Sequence, residues 1–336
     1  MATVNAAVND KELVIPLIDF AKFTDGSPDE KLATARAILD GFKSAGFIYL
    51  KNHPIPADVL RRTFSRSADF FQLPSADKQA LGWTTAEANR GYSAPGREKT
   101  TQLLDINQVA EVRASAPDLK ESFEIGREPH PVHDNLWPAE EGKLQGFRAD
   151  MLDFFDRCRH VYQQLMGAIA LAMGLDVTFF DGFIDANDNQ LRLLHYPGVK
   201  VDDFKSKPGQ VRAGEHSDYG SITLLFQDNR GGLQVKSPTG MYVDATPMEG
   251  TIVVNAGDLL ARWSNDIIKS TLHRVVEPPH SSGEEYPPRY SIAYFCNPNA
   301  DSLIETIPGT YAGEEDKKYE AVISGEYVMR RLAATY

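Results

Sequence analysis

Two histidines and one aspartate in the second half of the chain have the residue types and the spacing of a metal site. His216 and Asp218 are two positions apart just before a predicted strand, and His273 begins another predicted strand. In extended backbone, residues i and i+2 project to the same side, so the His216 imidazole and the Asp218 carboxylate can face one point. A third ligand from a distant strand closes one triangular face of an octahedron and leaves the opposite face open.

Two neutral imidazoles and one carboxylate on a single face indicate a non-haem Fe(II) centre, which binds a chelating co-substrate and dioxygen on its open side. The same donors occur in catalytic zinc sites, which keep a water in the fourth position. A lone His-x-Asp dipeptide is more often a solvated turn than a metal site. We therefore predict catalytic metal ligands at His216, Asp218 and His273. The residue types do not decide the identity of the metal.

A second spacing supports a catalytic site. Arg289 and Ser291 open the next predicted strand, where alternation places their side chains on one face. A fork-shaped guanidinium beside a hydroxyl fits the distal carboxylate of a short dicarboxylate. Tyr196, on the predicted strand LRLLHYPG, can add a phenolic donor to the same carboxylate. We predict a co-substrate site at these three residues, and we expect His195, on the opposite face, to be packed or at the surface.

Helical patterns dominate the first half of the chain. Ser27-Pro28-Asp29-Glu30 has the form of a capping box with proline at the first helical position, and apolar residues follow at helical spacing until Gly46. Residues 47–50 are predicted to form a short buried strand. Amphipathic helices are predicted from Ala57 to Phe71 and from Phe147 to Leu175. These elements would pack against the part of the fold that contains the predicted metal site.

Beyond Asn189 the sequence changes to short β-type runs separated by turn residues: LRLLHY, SITLLFQ, GLQVK, MYVDA, TIVVNAG, LLARW, HRVVE and RYSIAYF. This cadence is typical of a jelly roll or barrel. We predict a mainly β fold with helical support, in which a double-stranded β-helix (jelly roll) core is flanked by N-terminal helices. Residues 1–185 would be the support region and 186–336 the core of one continuous unit. Residues 81–138 show no sustained period, which predicts loops that could cover a site or a plain surface connection.

Composition limits the partners that the chain can have. The formal net charge is −12 and no dense basic run occurs, which argues against a nucleic-acid surface. Cys158 and Cys296 lie far apart, the first residues lack a signal-peptide pattern, and the apolar run from Leu165 to Leu175 is too short to span a bilayer. We expect a soluble, cytoplasmic protein with a small-molecule partner, no nucleic acid and no membrane. The oligomeric state stays open.

Several strings together resemble the isopenicillin-N-synthase-like family of Fe(II)/2-oxoglutarate-dependent oxygenases. The core strings HSDYGSITLLFQD, VVNAGDLLARWSND, KSTLHRVV and PPRYSIAYFCNP are similar to that family, and VIPLIDFAKF with AGFIYLKNHPIP is similar to its N-terminal region. The resemblance implies Fe(II) as cofactor, with 2-oxoglutarate and O2 as co-substrates. One departure is Leu194, where many members have asparagine. The absence of asparagine at this position removes a polar contact near 2-oxoglutarate.

At finer grain, ANRGYSAPGREK, KESFEIGRE, LRLLHYPGVK and RYSIAYFCNPN resemble the fungal thymine dioxygenases. That resemblance implies hydroxylation of the thymine methyl group to 5-hydroxymethyluracil, then oxidation to the formyl and carboxyl uracils, with a place in pyrimidine salvage. It also implies that Phe295 stacks on the pyrimidine while Arg192 and Tyr219 lie at its edge or flank the ring. Strand alternation agrees in part, because Phe295 points the same way as Arg289 and Ser291.

Other interpretations stay open from sequence alone. Arg192 can be a strand residue in an ion pair, and Phe295 or Tyr219 can be core. The Arg-x-Ser pair can hold a substrate carboxylate in an oxidase that uses no 2-oxoglutarate. The chain can also be a fungal biosynthetic oxygenase that acts on another small aromatic substrate, or a silent binding protein with a relict metal site.

Overall fold

The computed structural model describes residues 5–85, 87–98, 118–202, 211–277 and 285–335. Within these ranges the structure combines α-helices with β-sheets. The α-helices are α1 (Ala21–Thr24), α2 (Pro28–Ser44), α3 (Ala57–Phe71), α4 (Ser75–Ala80), α5 (Phe147–Ala172), α6 (Asp181–Ile184), α7 (Asp258–Trp263) and α8 (Ser324–Thr335). Single 3-10 turns lie at Gly142–Leu144 and Glu314–Asp316.

Mostly antiparallel strands form a large sheet, a small sheet and two short ribbons. The large sheet has nine strands in the spatial order β1 (Ala6–Asp10), β2 (Leu13–Asp19), β3 (Phe47–Lys51), β12 (Thr251–Ala256), β9 (Ile222–Gln227), β15 (Arg289–Cys296), β6 (Gln190–Tyr196), β5 (Glu121–Gly126) and β4 (Gly91–Ser93). The small sheet has four, in the order β11 (Tyr242–Asp244), β10 (Leu233–Lys236), β13 (His273–Val275) and β8 (Ala213–His216). The ribbons pair β14 (Glu285–Tyr286) with β7 (Val199–Lys200), and β16 (Leu303–Ile304) with β17 (Val322–Ile323).

The large sheet is buried on both faces, which explains why its central strands are nearly continuous apolar runs. One face packs on helix α5, for example through Tyr294 of β15, whose ring centroid lies 5.0 Å from that of Phe155. The other face packs on the small sheet through residues such as Ala293 and Leu194. This is the jelly-roll core that the strand cadence predicts, and it places a site between the two sheets.

The predicted N-terminal elements are confirmed. Ser27 caps α2 with a complete capping box, in which the Ser27 N–H donates to the Glu30 carboxylate at 3.0 Å. Strand β3 follows directly, and α3 spans the predicted residues. Helix α5 begins at the predicted Phe147 and ends at Ala172, just before the predicted end. These elements could be predicted because their apolar periodicity is strong and their capping residues are local in sequence.

One prediction for residues 81–138 was wrong. The strands β4 and β5 lie in this interval and extend the large sheet beyond β6. Strand β5 has no clean apolar alternation because its Glu121 and Glu124 are buried, where they pair with Lys78 and Arg192. Residues 99–117, where a loop over the site was also expected, lie outside the described residues.

The segment LLARW was predicted as a β-type run and is instead helix α7. Leucine, alanine and arginine all favour helix, and Asp258 lies in the first turn, where a carboxylate stabilises the helix N-terminus. A short apolar run does not by itself separate a strand from a buried helix. The helix follows β12 directly and lies beside the predicted metal site.

The first half of the chain contributes strands as well as helices to the core. Strands β1 to β5 all precede residue 185 and all join the large sheet. The predicted division at residue 185 into support and core stays a prediction. Among the residues described, no helix combines the length and the apolar character that crossing a membrane requires.

Candidate metal centre and active site

Strand pairing brings the two predicted histidine ligands together. His216 ends β8 and His273 begins β13, and the two residues are direct antiparallel partners in the small sheet. Their ring centroids are 4.3 Å apart. Asp218 follows β8, and its backbone carbonyl accepts a hydrogen bond of 2.8 Å from the Asp258 N–H. Main-chain hydrogen bonds of the small sheet and of α7 therefore position all three residues.

The candidate ligand atoms of the three residues converge. Asp218 Oδ1 lies 3.8 Å from His216 Nε2 and 3.7 Å from His273 Nε2. The Nδ1 atoms of the two histidines bond to the carbonyls of Gly214, at 2.7 Å, and Thr271, at 3.1 Å. Because a carbonyl only accepts, each Nδ1 carries the proton and each Nε2 lone pair is available to a metal.

The second oxygen of Asp218 is held by two neighbours. Asn255 Nδ2 donates to Oδ2 at 2.6 Å, and the Thr223 hydroxyl donates to the same atom. Burial by itself would raise the pKa of Asp218, but the two imidazoles and these hydrogen bonds outweigh burial and lower it. Burial, followed by the nearby His273, lowers the pKa of His216. An ionised carboxylate and neutral imidazoles are the protonation states that metal binding requires.

Removing one hydrogen bond to Asp218 Oδ2 should weaken metal binding without abolishing it. Outer partners of metal ligands typically contribute about 10- to 100-fold in metal affinity or activity, so Asn255→Ala and Thr223→Val should each cost about that factor. Titration of the purified variants with Fe(II) measures the effect. Thr251→Val is the matched control, because the Thr251 hydroxyl donates to the carbonyl of Met248 instead. Unchanged affinity in both variants would show that these contacts do not hold the ligand.

The predicted co-substrate residues meet on the same inner face of the large sheet. Arg289 and Tyr196 are direct partners across β15 and β6, and the guanidinium carbon lies 4.9 Å from the phenol centroid. The guanidinium donates to Ser291 Oγ at 3.1 Å and to Gln227 Oε1 at 3.0 Å. Arg289 is only 1% exposed, and its hydrogen-bond partners in the described part of the chain are neutral. A buried cation with neutral partners is suited to an anionic ligand.

Two adjoining cavities meet at the converging side chains. The anchor cavity extends from His273 to Arg289, Ser291 and Tyr196. The outer cavity is lined by Tyr219 among others. Five residues line both cavities: Lys120, Arg192, His216, Asp218 and Phe295. A dicarboxylate can therefore lie between the metal ligands and Arg289 while a second molecule occupies the outer cavity.

Comparison with known proteins decides the family. Residues 187–298 match the 2OG-Fe(II) oxygenase superfamily, and residues 15–140 match the family described as non-haem dioxygenase in morphine synthesis N-terminal. This chain belongs to the 2OG-Fe(II) oxygenase superfamily. A curated relative, the proline hydroxylase buaE of Petromyces alliaceus, is 37% identical over 324 residues, which cover 95% of this chain and 98% of the relative.

Solved structures of 2OG-Fe(II) oxygenases include more similar proteins. The thymine-7-hydroxylase of Neurospora crassa, in complex with alpha-KG and thymine, is 64% identical with a TM-score of 0.92, and the match covers 98% of this chain and 100% of that one. The same protein in complex with alpha-KG and 5-formyluracil matches at 61% identity and a TM-score of 0.90, covering 98% and 99% of the two chains. The similarity therefore extends over nearly the whole fold.

The two histidines and the aspartate are compatible with either iron or zinc, and membership of the superfamily decides for iron. These enzymes use Fe(II), with 2-oxoglutarate and dioxygen as co-substrates. The residues fit iron, because the ligand atoms of His216, Asp218 and His273 all lie within 4.8 Å of one another and the remaining carboxylate oxygen and both Nδ1 atoms are engaged elsewhere. Among the described residues, these three side chains form a group whose potential ligand atoms come close enough together to hold one metal ion.

The three predicted substrate residues of this 2OG-Fe(II) oxygenase line the outer cavity. Phe295 is half-buried on β15, and the Arg192 guanidinium carbon lies 5.2 Å from the centroid of its ring. Arg192 also pairs with Glu124 Oε1 at 2.5 Å. It is therefore both a member of an ion pair and part of the cavity wall. Tyr219 lines the cavity directly after the predicted ligand Asp218.

Two neighbours on β6 agree with the sequence analysis. His195 points away from the metal ligands, where its Nδ1 lies 2.7 Å from Glu121 Oε1 and its ring stacks on Tyr290 at 4.6 Å. Leu194 lines the anchor cavity and contributes an apolar surface to it.

Sequence reasoning missed a buried charged group on the wall between the two cavities. Lys120, which lines both cavities, lies 2.7 Å from Glu98 Oε2 and 3.8 Å from Asp118 Oδ2. Burial would lower the pKa of Lys120, but Glu98 and Asp118 outweigh it and raise it to about 12. Arg192 adds a second cation beside Glu98, at 3.7 Å. The charged residues within the string KESFEIGRE were the available signal.

Proposed function

We propose that this chain is a thymine dioxygenase that hydroxylates the methyl group of free thymine to 5-hydroxymethyluracil and then forms 5-formyluracil and 5-carboxyuracil. The observation that carries the proposal is the 64% identity, over nearly the full length, with a thymine-7-hydroxylase bound to thymine. The second complex of that hydroxylase, with 5-formyluracil, supports the later steps. Such products belong to the salvage of pyrimidine bases, and we place the enzyme in the cytoplasm.

The chain's own residues would hold the reactants in order. His216, Asp218 and His273 would ligate Fe(II), and Arg289 with Ser291 and Tyr196 would bind the far carboxylate of 2-oxoglutarate. Bound Fe(II) supplies the reaction in which dioxygen oxidises both 2-oxoglutarate and the substrate methyl group. In the first turnover thymine, 2-oxoglutarate and O2 become 5-hydroxymethyluracil, succinate and CO2. The protein contributes position and exclusion of water, and no side chain has to act as an acid or a base.

The residues that line the outer cavity are suited to binding a planar pyrimidine base. Phe295 provides an aromatic face, which suits stacking of a planar heterocycle. Tyr219 provides a second ring, and Arg192 provides hydrogen-bond donors that complement the carbonyl oxygens of a pyrimidine. Because Phe295 also borders the anchor cavity, a base on its face lies next to the metal ligands.

A direct assay tests the proposal. The purified protein, supplied with Fe(II), 2-oxoglutarate and thymine in air, should form succinate and 5-hydroxymethyluracil in equal amounts at first. Uracil, which lacks the methyl group, is the control. Product without succinate would indicate the oxidase alternative. No thymine product, together with turnover of another small aromatic substrate, would favour the biosynthetic alternative, which the 37% identity to buaE keeps in view.

Phe295→Ala should weaken thymine binding more than 2-oxoglutarate binding. Stacking of a base on an aromatic side chain contributes about 1–3 kcal/mol, which corresponds to a rise of about 5- to 150-fold in the KM for thymine. Initial rates at varied concentrations of each substrate measure the two constants. Tyr294→Phe, on the opposite face of β15, is the control. If both constants rise equally in Phe295→Ala, the ring acts through general packing.

A further inference from the structure

The C-terminal helix α8 forms part of the wall of the outer cavity. Val328 and Leu332 line the cavity together with Phe295 and Tyr219. Leu332 is buried against the body of the protein. The affinity of the cavity for a ligand therefore depends on where α8 lies, and the contacts that hold this helix become part of the site.

Asp258 connects α8 to the metal-binding turn. Its carboxylate accepts hydrogen bonds from Tyr327, at 3.0 Å, and Ser270, at 2.7 Å, and lies 3.2 Å from the Arg331 guanidinium. Its backbone N–H donates to the carbonyl of the ligand Asp218 at 2.8 Å. Both Asp258 and Arg331 are mostly buried, so this ion pair is screened less by water than one at the surface.

Arg331 has a second contact, on the ring of Tyr219. The guanidinium carbon lies 4.5 Å from the ring centroid, well within the range of a cation–π contact. Tyr219 also lines the outer cavity. One side chain of α8 thus holds both the carboxylate that docks the helix and the aromatic ring beside the proposed substrate.

We propose that Arg331 is a positioning residue, which docks α8 on Asp258 and fixes the Tyr219 ring as one wall of the pyrimidine site. This inference rests on the proposed function, because it names a determinant of affinity for the same substrate. A guanidinium can pair with the carboxylate and stack on the ring at once, whereas an ammonium is a point charge without a planar face. The two contacts can therefore be separated by substitution.

Kinetics of two variants test the proposal. Arg331→Lys keeps the charge and loses the planar stack, and Arg331→Gln loses the charge as well. A desolvated cation–π contact contributes about 0.5–2 kcal/mol, so the KM for thymine should rise by about 2- to 30-fold in Arg331→Lys, and by more in Arg331→Gln. The KM for 2-oxoglutarate and the slow turnover of 2-oxoglutarate without thymine should not change. Glu326→Gln, at an exposed position of the same helix, is the matched control.

Hydrogen–deuterium exchange gives a readout that does not need turnover. Arg331→Gln should speed exchange of the α8 amides by about 5-fold or more, and Tyr327→Phe, which removes one hydrogen bond to Asp258, should do so to a smaller extent. A wild-type enzyme without thymine turnover would refute the proposed function, and exchange then still tests the docking. Unchanged exchange in α8, an unchanged KM for thymine, or an equal rise in both KM values would overturn the role of Arg331.

Discussion

His216→Ala, His273→Ala and Asp218→Ala are each expected to abolish thymine-dependent formation of succinate. Each replacement removes one of the three converging ligand atoms, and two protein donors hold Fe(II) far more weakly than three. The loss should exceed the factor of about 10–100 expected for outer partners such as Asn255, because a direct ligand is removed. Succinate and 5-hydroxymethyluracil are measured together with bound Fe(II) after dialysis.

The control for these variants is His160→Ala, which removes an exposed histidine of α5 that lines neither cavity. It should retain wild-type turnover and iron content. A His216→Ala variant with near-normal activity and bound iron would refute the metal centre. Circular dichroism of every variant separates lost chemistry from lost fold.

Arg289→Gln should raise the requirement for 2-oxoglutarate by a large factor. The variant loses the charge that faces the anchor cavity, while Ser291 and Tyr196 remain. Removal of one partner of a buried, hydrogen-bonded charge pair costs about 2–5 kcal/mol, which corresponds to a rise of about 30-fold or more in the KM for 2-oxoglutarate. Fe(II) content should stay normal, since Arg289 is not a ligand.

Arg289→Lys separates charge from shape at the same position. Lysine keeps the charge and loses the planar fork, so its KM for 2-oxoglutarate should lie between those of wild type and Arg289→Gln. Arg230→Gln, at an exposed turn, is the control. An unchanged KM in Arg289→Gln would remove this residue from the co-substrate site.

The convergence of His216 with Asp218 and of Arg289 with Ser291 could be predicted from the sequence because both pairs follow from local rules. Alternation on a strand relates Arg289 to Ser291, and the spacing of His216 and Asp218 places them on one side. His273 was predicted as the third ligand from its residue type and its place at the start of a distant strand, and the family strings agreed with that choice. The register that makes His216 and His273 direct partners is a long-range property of the small sheet, and no local pattern predicts it.

The misses share a different cause. Strand β5 and the charged group around Lys120 depend on which distant residues neutralise Glu121, Glu124 and Glu98, and single-sequence patterns do not contain that information. The contacts of α8 have the same origin, because amphipathic spacing leaves the docking site of a helix undefined. The structure therefore revealed the buried ion pairs and the docking of helices, which the sequence patterns did not predict.

In the proposed complex, strand β15 would act as a rigid spacer between 2-oxoglutarate and the pyrimidine. Arg289, Ser291 and Phe295 lie on one face of one strand, so the distance along the backbone from Arg289 to Phe295 is about 20 Å at roughly 3.4 Å per residue. The separation between the proposed 2-oxoglutarate carboxylate at Arg289 and the proposed pyrimidine at Phe295 is then set by backbone hydrogen bonds to β6 and β9, which surface loops do not alter. Changes in the outer cavity walls and in α8 would therefore alter the fit of the substrate and leave the Arg289 anchor in place.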